Sequence, residues 1–283
     1  MGRTLMRPLG LVLVVFAVAW APLRAQESNS RRVASLVPAA TEALFAIGAG
    51  DLVVGVGDYD DFPEAVHELP RIGGLIDPNL EAILALRPDL VIIDPSQRTL
   101  ATQLDAAGIS TYSFKTGSIG ELLHDVRTLG NVLGVPGAEA VAAEVEQVVN
   151  EVRAAVAGQP TVTALAVFGR RPGAFAELWV SGGVGFLHDV VDISGGENVF
   201  SEIGQQSFKS GLEAVLARRP QVVIEATSPD ANPDAVTAEW RALPGFSEVR
   251  VVVLDASWSL RPSPRVVRLL WQVAEGLHPS LER

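Results

Sequence analysis

Leu80-Glu81-Ala82-Ile83-Leu84-Ala85-Leu86-Arg87-Pro88-Asp89-Leu90-Val91-Ile92-Ile93 is the stretch from which the fold can be read. Residues 80–86 suit a helix, and Pro88 stops it, because proline lacks the amide and disfavours helix just before it. The unbroken apolar run at 90–93 then reads as a strand buried on both faces. The same pattern returns 132 residues later as Leu212-Glu213-Ala214-Val215-Leu216-Ala217-Arg218-Arg219-Pro220-Gln221-Val222-Val223-Ile224-Glu225. Six of the eight positions from Glu81 to Pro88 are identical in the second copy. A helix stopped by proline and followed by a buried strand is therefore used twice, once in each half of the chain.

The flanking sequence extends the alternation. Residues 32–36 read as a strand, and Thr41 as the N-cap of a helix ended by Gly48 or Gly50. Strands are expected at 52–56 and 110–114, with a helix at 100–107 between the repeat and the latter. Residues 137–157 contain no internal glycine or proline and predict one helix of about 30 Å at 1.5 Å per residue. That is long for a crossover and suits a spine between two lobes. Beyond it, strands are predicted at 161–168 and 249–254, and a helix at 264–277. Alternating strands and helices imply parallel sheets covered on both faces. The expected organisation is a signal segment at 1–25, an N-terminal lobe at 32–135, a linking helix at 136–158 and a C-terminal lobe at 159–283. In class the fold is α/β, with two Rossmann-like lobes and a ligand cleft between them.

The start of the chain has the three parts of a secretory signal. Arg3 and Arg7 form a basic region, residues 9–21 an apolar run, and Ala25 a small residue at the expected cleavage point. The run is shorter than the roughly 20 residues a spanning helix needs. The mature protein is thus expected to be exported and soluble in the periplasm, or held there by an uncleaved signal.

Composition narrows the chemistry. The 283 residues include 22 Lys and Arg, 33 Asp and Glu, and no Cys, for a net charge of −11. An acidic chain is a poor partner for nucleic acid, which requires clustered basic residues. Without cysteine there is no disulfide, thiolate nucleophile or Cys-ligated metal. The four histidines, His67, His124, His188 and His278, have no metal-ligand spacing. No nucleophile elbow or phosphate loop is present. An exported α/β enzyme, the remote alternative, would need a nucleophile with its base, or a metal set, and sparse His with no Cys makes either hard to assemble. Gly182-Gly183-Val184-Gly185 reads as a turn after the strand at 178–180, leading into a helix. Asp58-Tyr59-Asp60-Asp61 reads more readily as a solvated acidic loop than as a cation site. Glu81 and Glu213 occupy the same place in both halves. Either they favour the helix dipole, or they form a matched pair of acidic knobs for a two-fold symmetric partner.

Ala34-Ser35-Leu36-Val37-Pro38-Ala39-Ala40-Thr41-Glu42, the segment from Val54 to Pro63 and both Leu-Glu-Ala-(Ile/Val)-Leu-Ala repeats resemble the solute-binding proteins of ABC importers for cobalamin, haem and siderophore iron. Gly195-Gly196-Glu197-Asn198-Val199-Phe200 and Ser263-Pro264-Arg265 fit the same pattern. The resemblance spans the mature chain and is closest to the cobalamin-binding members. It implies two lobes on one rigid helix, no catalytic activity or resident cofactor, and a monomer delivering a metal chelate, foremost cobalamin, to an importer permease dimer. It also implies that Glu81 and Glu213 meet arginines of the permease, a charge-assisted pairing that can be bidentate. Tyr59 matches an aromatic ligand contact, and Trp258 and Arg261 match a late loop that closes on the ligand. Leu75, Asp94 and Ser207 stand where the cobalamin binders carry tryptophan, and Phe208 beside Ser207 is a candidate substitute. A haem ligand would call for an axial Tyr or His, for which Tyr59 is the candidate and Tyr112 the only other tyrosine.

Overall fold

The computed structural model describes residues 31–281. The export signal expected at 1–25 lies outside the described residues. Strand β1 (Val33–Ser35) runs directly into helix α1 (Pro38–Ala46). The helix starts three residues before the expected cap. Val37 is extended and Pro38 occupies the first turn, where its fixed φ and missing amide cost nothing. Thr41 is buried inside the helix instead, and its hydroxyl donates to Ser35 Oγ at 2.8 Å. Strand β2 (Val53–Val56) follows, then the repeat unit as helix α2 (Leu80–Leu86) and strand β3 (Leu90–Ile93). Asn79 caps α2 by accepting from the Ala82 amide at 3.0 Å. Helix α3 (Arg98–Ala106) and strand β4 (Ser110–Ser113) complete a four-stranded sheet of order β2-β1-β3-β4, parallel throughout.

Helix α4 (Ile119–Leu133) begins with a reciprocal cap. Ser118 Oγ accepts from the Glu121 amide, and the Glu121 carboxylate accepts from the Gly117 amide. Helix α5 (Gly137–Val156) is the expected 20-residue spine. It packs on α4 on one side and on the last helix of the chain on the other.

The second lobe contains strand β5 (Val162–Gly169), strand β6 (Leu178–Ser181), helix α6 (Phe186–Ile193) and strand β7 (Gly196–Asn198). Strand β8 (Ser207–Ser210), the second repeat as helix α7 (Leu212–Arg218) and strand β9 (Val222–Thr227), and helix α8 (Pro233–Arg241) come next. Strand β10 (Arg250–Asp255), the one-turn helix α9 (Ala256–Ser259) and helix α10 (Val266–Leu277) end the fold. The sheet order is β10-β9-β5-β6-β8, with β7 beside the start of β5. This sheet is mixed, not wholly parallel: β6 runs antiparallel to β5, and β8 antiparallel to β6. The link from β5 to β6 is too short for a helical crossover, so the strand returns as a hairpin.

Strand alternation divides the interior. Val33 on β1 and Val222, Ile224 and Ala226 on β9 face one core that also takes residues of α5 and α10. Ala34 of β1 and Val223 of β9 face separate cores under the outer helices of their own lobes. A single apolar core therefore runs unbroken from one lobe, through Ala142, Val145 and Val152 of α5, into the other.

Candidate ligand-binding site

In parallel sheets the loops at the carboxyl ends of the strands collect function. After β2 the chain turns through residues 57–61 and leaves Tyr59 70% exposed. The ring lies close to Gly74, where a Cβ would sit 3.2 Å from it. The next residue, Leu75, is half-exposed, and its carbonyl accepts from Gln97 Nε2 at 3.0 Å. Gln97 Oε1 in turn accepts from the Asp94 amide at 3.0 Å. Gln97 thus ties Leu75 to Asp94, and the Tyr59 ring lies beside the neighbouring Gly74.

Arg261 reaches the Tyr59 loop from the second lobe. Its Nη2 donates to the Tyr59 carbonyl at 3.0 Å, and the guanidinium pairs with Asp61 and, at 3.1 Å, with Glu42. Arg265 holds the same Glu42 through Nε at 2.7 Å and through Nη2. Glu42 is only 2% exposed at its side chain, so two arginines of one lobe neutralise one buried carboxylate of the other. Phe62 closes over the Arg265 guanidinium at 4.4 Å. The acidic run 58–61 is therefore not a uniformly solvated loop. Asp61 is ion-paired, and Asp60 is buried. Burial pushes the Asp60 carboxyl up to about 6, against the opposing pull of Thr41, Arg261 and Arg71.

The remaining expected residues are less open. Trp258 lies in α9, not in a loop. Asp255 caps that turn by accepting from the Ser257 amide at 2.8 Å. The Trp258 ring is 8% exposed, belongs to the central core and lies under the Arg268 guanidinium at 4.6 Å. Ser207 is exposed on β8, while Phe208 packs edge-on against Phe200 at 5.1 Å. Tyr112 donates its phenol to Asp125 at 2.7 Å, which leaves Tyr59 as the exposed tyrosine. Glu81 and Glu213 are both exposed, each in the first turn of its repeat helix. Among the described residues, no group of three or more His, Asp or Glu is placed to hold a metal ion, and no helix is long and apolar enough to cross a membrane.

Two features escaped the reading of the sequence. Trp179 on β6 is 41% exposed, with Lys209 at 5.6 Å and Phe168 at 6.4 Å. Strand alternation carries that signal, since Leu178 and Val180 on either side of it point inward. The second is a cavity of about 410 Å³ at the carboxyl ends of β5 and β9. At its floor Arg170 pairs with Glu225 at 2.8 Å and with Glu239 at 2.6 Å, and Trp240 Nε1 also donates to Glu225. None of the residues expected at the site lines it.

Two α/β lobes on a single long helix, with charged loops meeting across the join, define a two-lobed substrate-binding protein. The chain belongs to the periplasmic binding protein family, whose sequence profile matches residues 33–257. It is 34% identical over 282 residues to a vitamin B12-binding protein of Yersinia pseudotuberculosis, covering 96% of both chains. The crystal structure of the periplasmic vitamin B12 binding protein BtuF of Vibrio cholerae matches with a TM-score of 0.74 and 25% identity, over 89% of this chain and 98% of that one. A periplasmic heme binding protein from Pseudomonas aeruginosa matches with a TM-score of 0.75 and 26% identity, over 89% and 94%.

Proposed function

We propose that this protein is an exported, non-catalytic carrier that captures cobalamin and delivers it to an ABC importer. The observation that carries the reading is Tyr59, an open aromatic ring whose backbone is held by Arg261 of the opposite lobe. A large flat chelate is bound by apolar and aromatic walls with a few polar anchors. Tyr59, Leu75 and Asp94 supply one wall in this reading, and Ser207, with Phe208 behind it and Trp179 on the same face of the sheet, supplies the facing one. Arg261 and Trp258 support the site from below rather than meeting the ligand first. The relatives support cobalamin, since the vitamin B12-binding protein of Yersinia is similar across nearly its whole length.

The ligand cleft lies between lobes at 32–135 and 159–283, joined by the helix at 136–158, and the signal at 1–25 directs export. The protein acts as a monomer, and Glu81 and Glu213 dock one on each subunit of a permease dimer. The second reading, haem, is favoured by the exposed phenol of Tyr59 and by the similarity to the Pseudomonas heme binder. Calorimetric titration of residues 26–283 with cyanocobalamin, and separately with haemin, tests both. A 1:1 isotherm with cyanocobalamin at micromolar affinity, about −8 kcal/mol, is the expected result. Binding of haemin with no heat from cyanocobalamin would overturn the cobalamin assignment and leave the family intact.

A further inference from the structure

Arg87 and Arg219 are the two non-glycine residues with positive φ among the described residues. Their angles coincide, φ 47° and ψ 58° against φ 48° and ψ 59°. They hold equivalent positions in the two repeats, each closing a seven-residue helix just before a proline. Left-handed backbone is a natural place for glycine and a costly one for a long side chain. The helix dipole favours a cation at this end, but no contact within the fold takes up either guanidinium. Both side chains are exposed, and neither makes a hydrogen bond or ion pair with the described residues. Strain that persists without a local return is a pointer to use elsewhere.

The same helices carry Glu81 and Glu213 at their starts, also exposed and without side-chain partners among the described residues. Each lobe therefore shows one bipolar unit, an acid and a base separated by about 9 Å of helix axis, with Ala85 or Ala217 exposed between them. We infer that Arg87 and Arg219 are the second half of the docking surface. Each unit meets a complementary base and acid on one subunit of a two-fold symmetric permease, and the arginine takes a carboxylate of that subunit. The inference rests on the docking role of Glu81 and Glu213. A single charge leaves a lobe free to rotate about its contact. A second charge of opposite sign fixes the rotation, because a wrong orientation brings like charges together.

The test measures binding of the mature chain to proteoliposomes of the importer permease from the same organism. The double variant Arg87→Gly/Arg219→Gly keeps the left-handed caps, so its melting temperature should hold or rise and its ligand affinity should not change. Docking should weaken at least tenfold, and Arg87→Lys/Arg219→Lys should recover most of it. Wild-type docking by the double glycine variant overturns the inference. Glu81→Ala/Glu213→Ala is measured alongside. Docking lost there but kept by the glycine variant rejects the arginines alone, while docking kept by both rejects the glutamates as well.

Discussion

Replacing Glu42 by glutamine tests whether the contact between the lobes is held by one buried charge. The carboxylate accepts from Arg261 at 3.1 Å and from Arg265 Nε at 2.7 Å, with a further bond from Arg265 Nη2. Removing one partner of a fully buried ion pair costs about 3–5 kcal/mol, because the other charge is left unpaired. Here the two guanidinium groups are partly exposed, and Arg261 keeps Asp61 while Arg265 keeps the Phe62 ring. Glutamine also retains an acceptor. The expected loss is therefore about 2–4 kcal/mol, or roughly 4–16 °C in melting temperature for a domain of this size. Urea unfolding should show a lower midpoint with an unchanged slope. Asp61→Asn is the control. That carboxylate is half-exposed, and pairs of that kind contribute about 0–1 kcal/mol. A Glu42→Gln loss below about 0.5 kcal/mol, or one no larger than that of Asp61→Asn, would refute the buried clasp.

Asp60→Asn should stabilise the protein at neutral pH. The folded carboxyl titrates at about 6 against 3.8 for the ordinary group. It therefore adds no penalty below pH 3.8 and erodes stability as pH rises through 6, by up to about 3 kcal/mol at pH 7. Urea midpoints of the variant and the wild type should converge near pH 4 and separate by pH 7. Tyr59→Ala should weaken cyanocobalamin binding at least tenfold in calorimetry with little change in melting temperature, since the exposed ring contributes mainly to binding. Trp258→Ala should behave in the opposite way. It should cost about 3–5 kcal/mol by chemical unfolding, because a core ring is removed, and any loss of affinity should follow from that instability.

The two lobes could be read from the sequence because their evidence is local. Pro88 and Pro220 stop helices, the runs at 90–93 and 222–224 are apolar throughout, and helix α5 lacks any breaker. The start of α1 was misplaced because Thr41 has the residue type of a cap while Pro38 has its position, and the backbone constraint of proline prevailed. Strand β8 was missed because Ser207-Phe208-Lys209-Ser210 has little apolar character and forms by pairing with β6. The site was partly legible. Tyr59 stood out as an aromatic in a polar loop, but the burial of Glu42 and Asp60 did not. Their surroundings are set by Arg261 and Arg265, about two hundred residues away in the chain, and no local pattern carries that contact. The same distance hides from the sequence the bonds by which Arg261 secures the Tyr59 loop.

The unbroken core through Ala142, Val145 and Val152 has a mechanical consequence. Swinging the lobes widely apart would wet the apolar surface around α5, at about 2.5 kcal/mol for each 100 Å² exposed. Each such step lowers the population of the opened form roughly 70-fold. A molecule built this way behaves as a stiff caliper whose gap is set in advance, not as a jaw that snaps shut on its cargo. In the carrier role proposed above, release would call for force on both arms together, with the repeat helices as the proposed points of application.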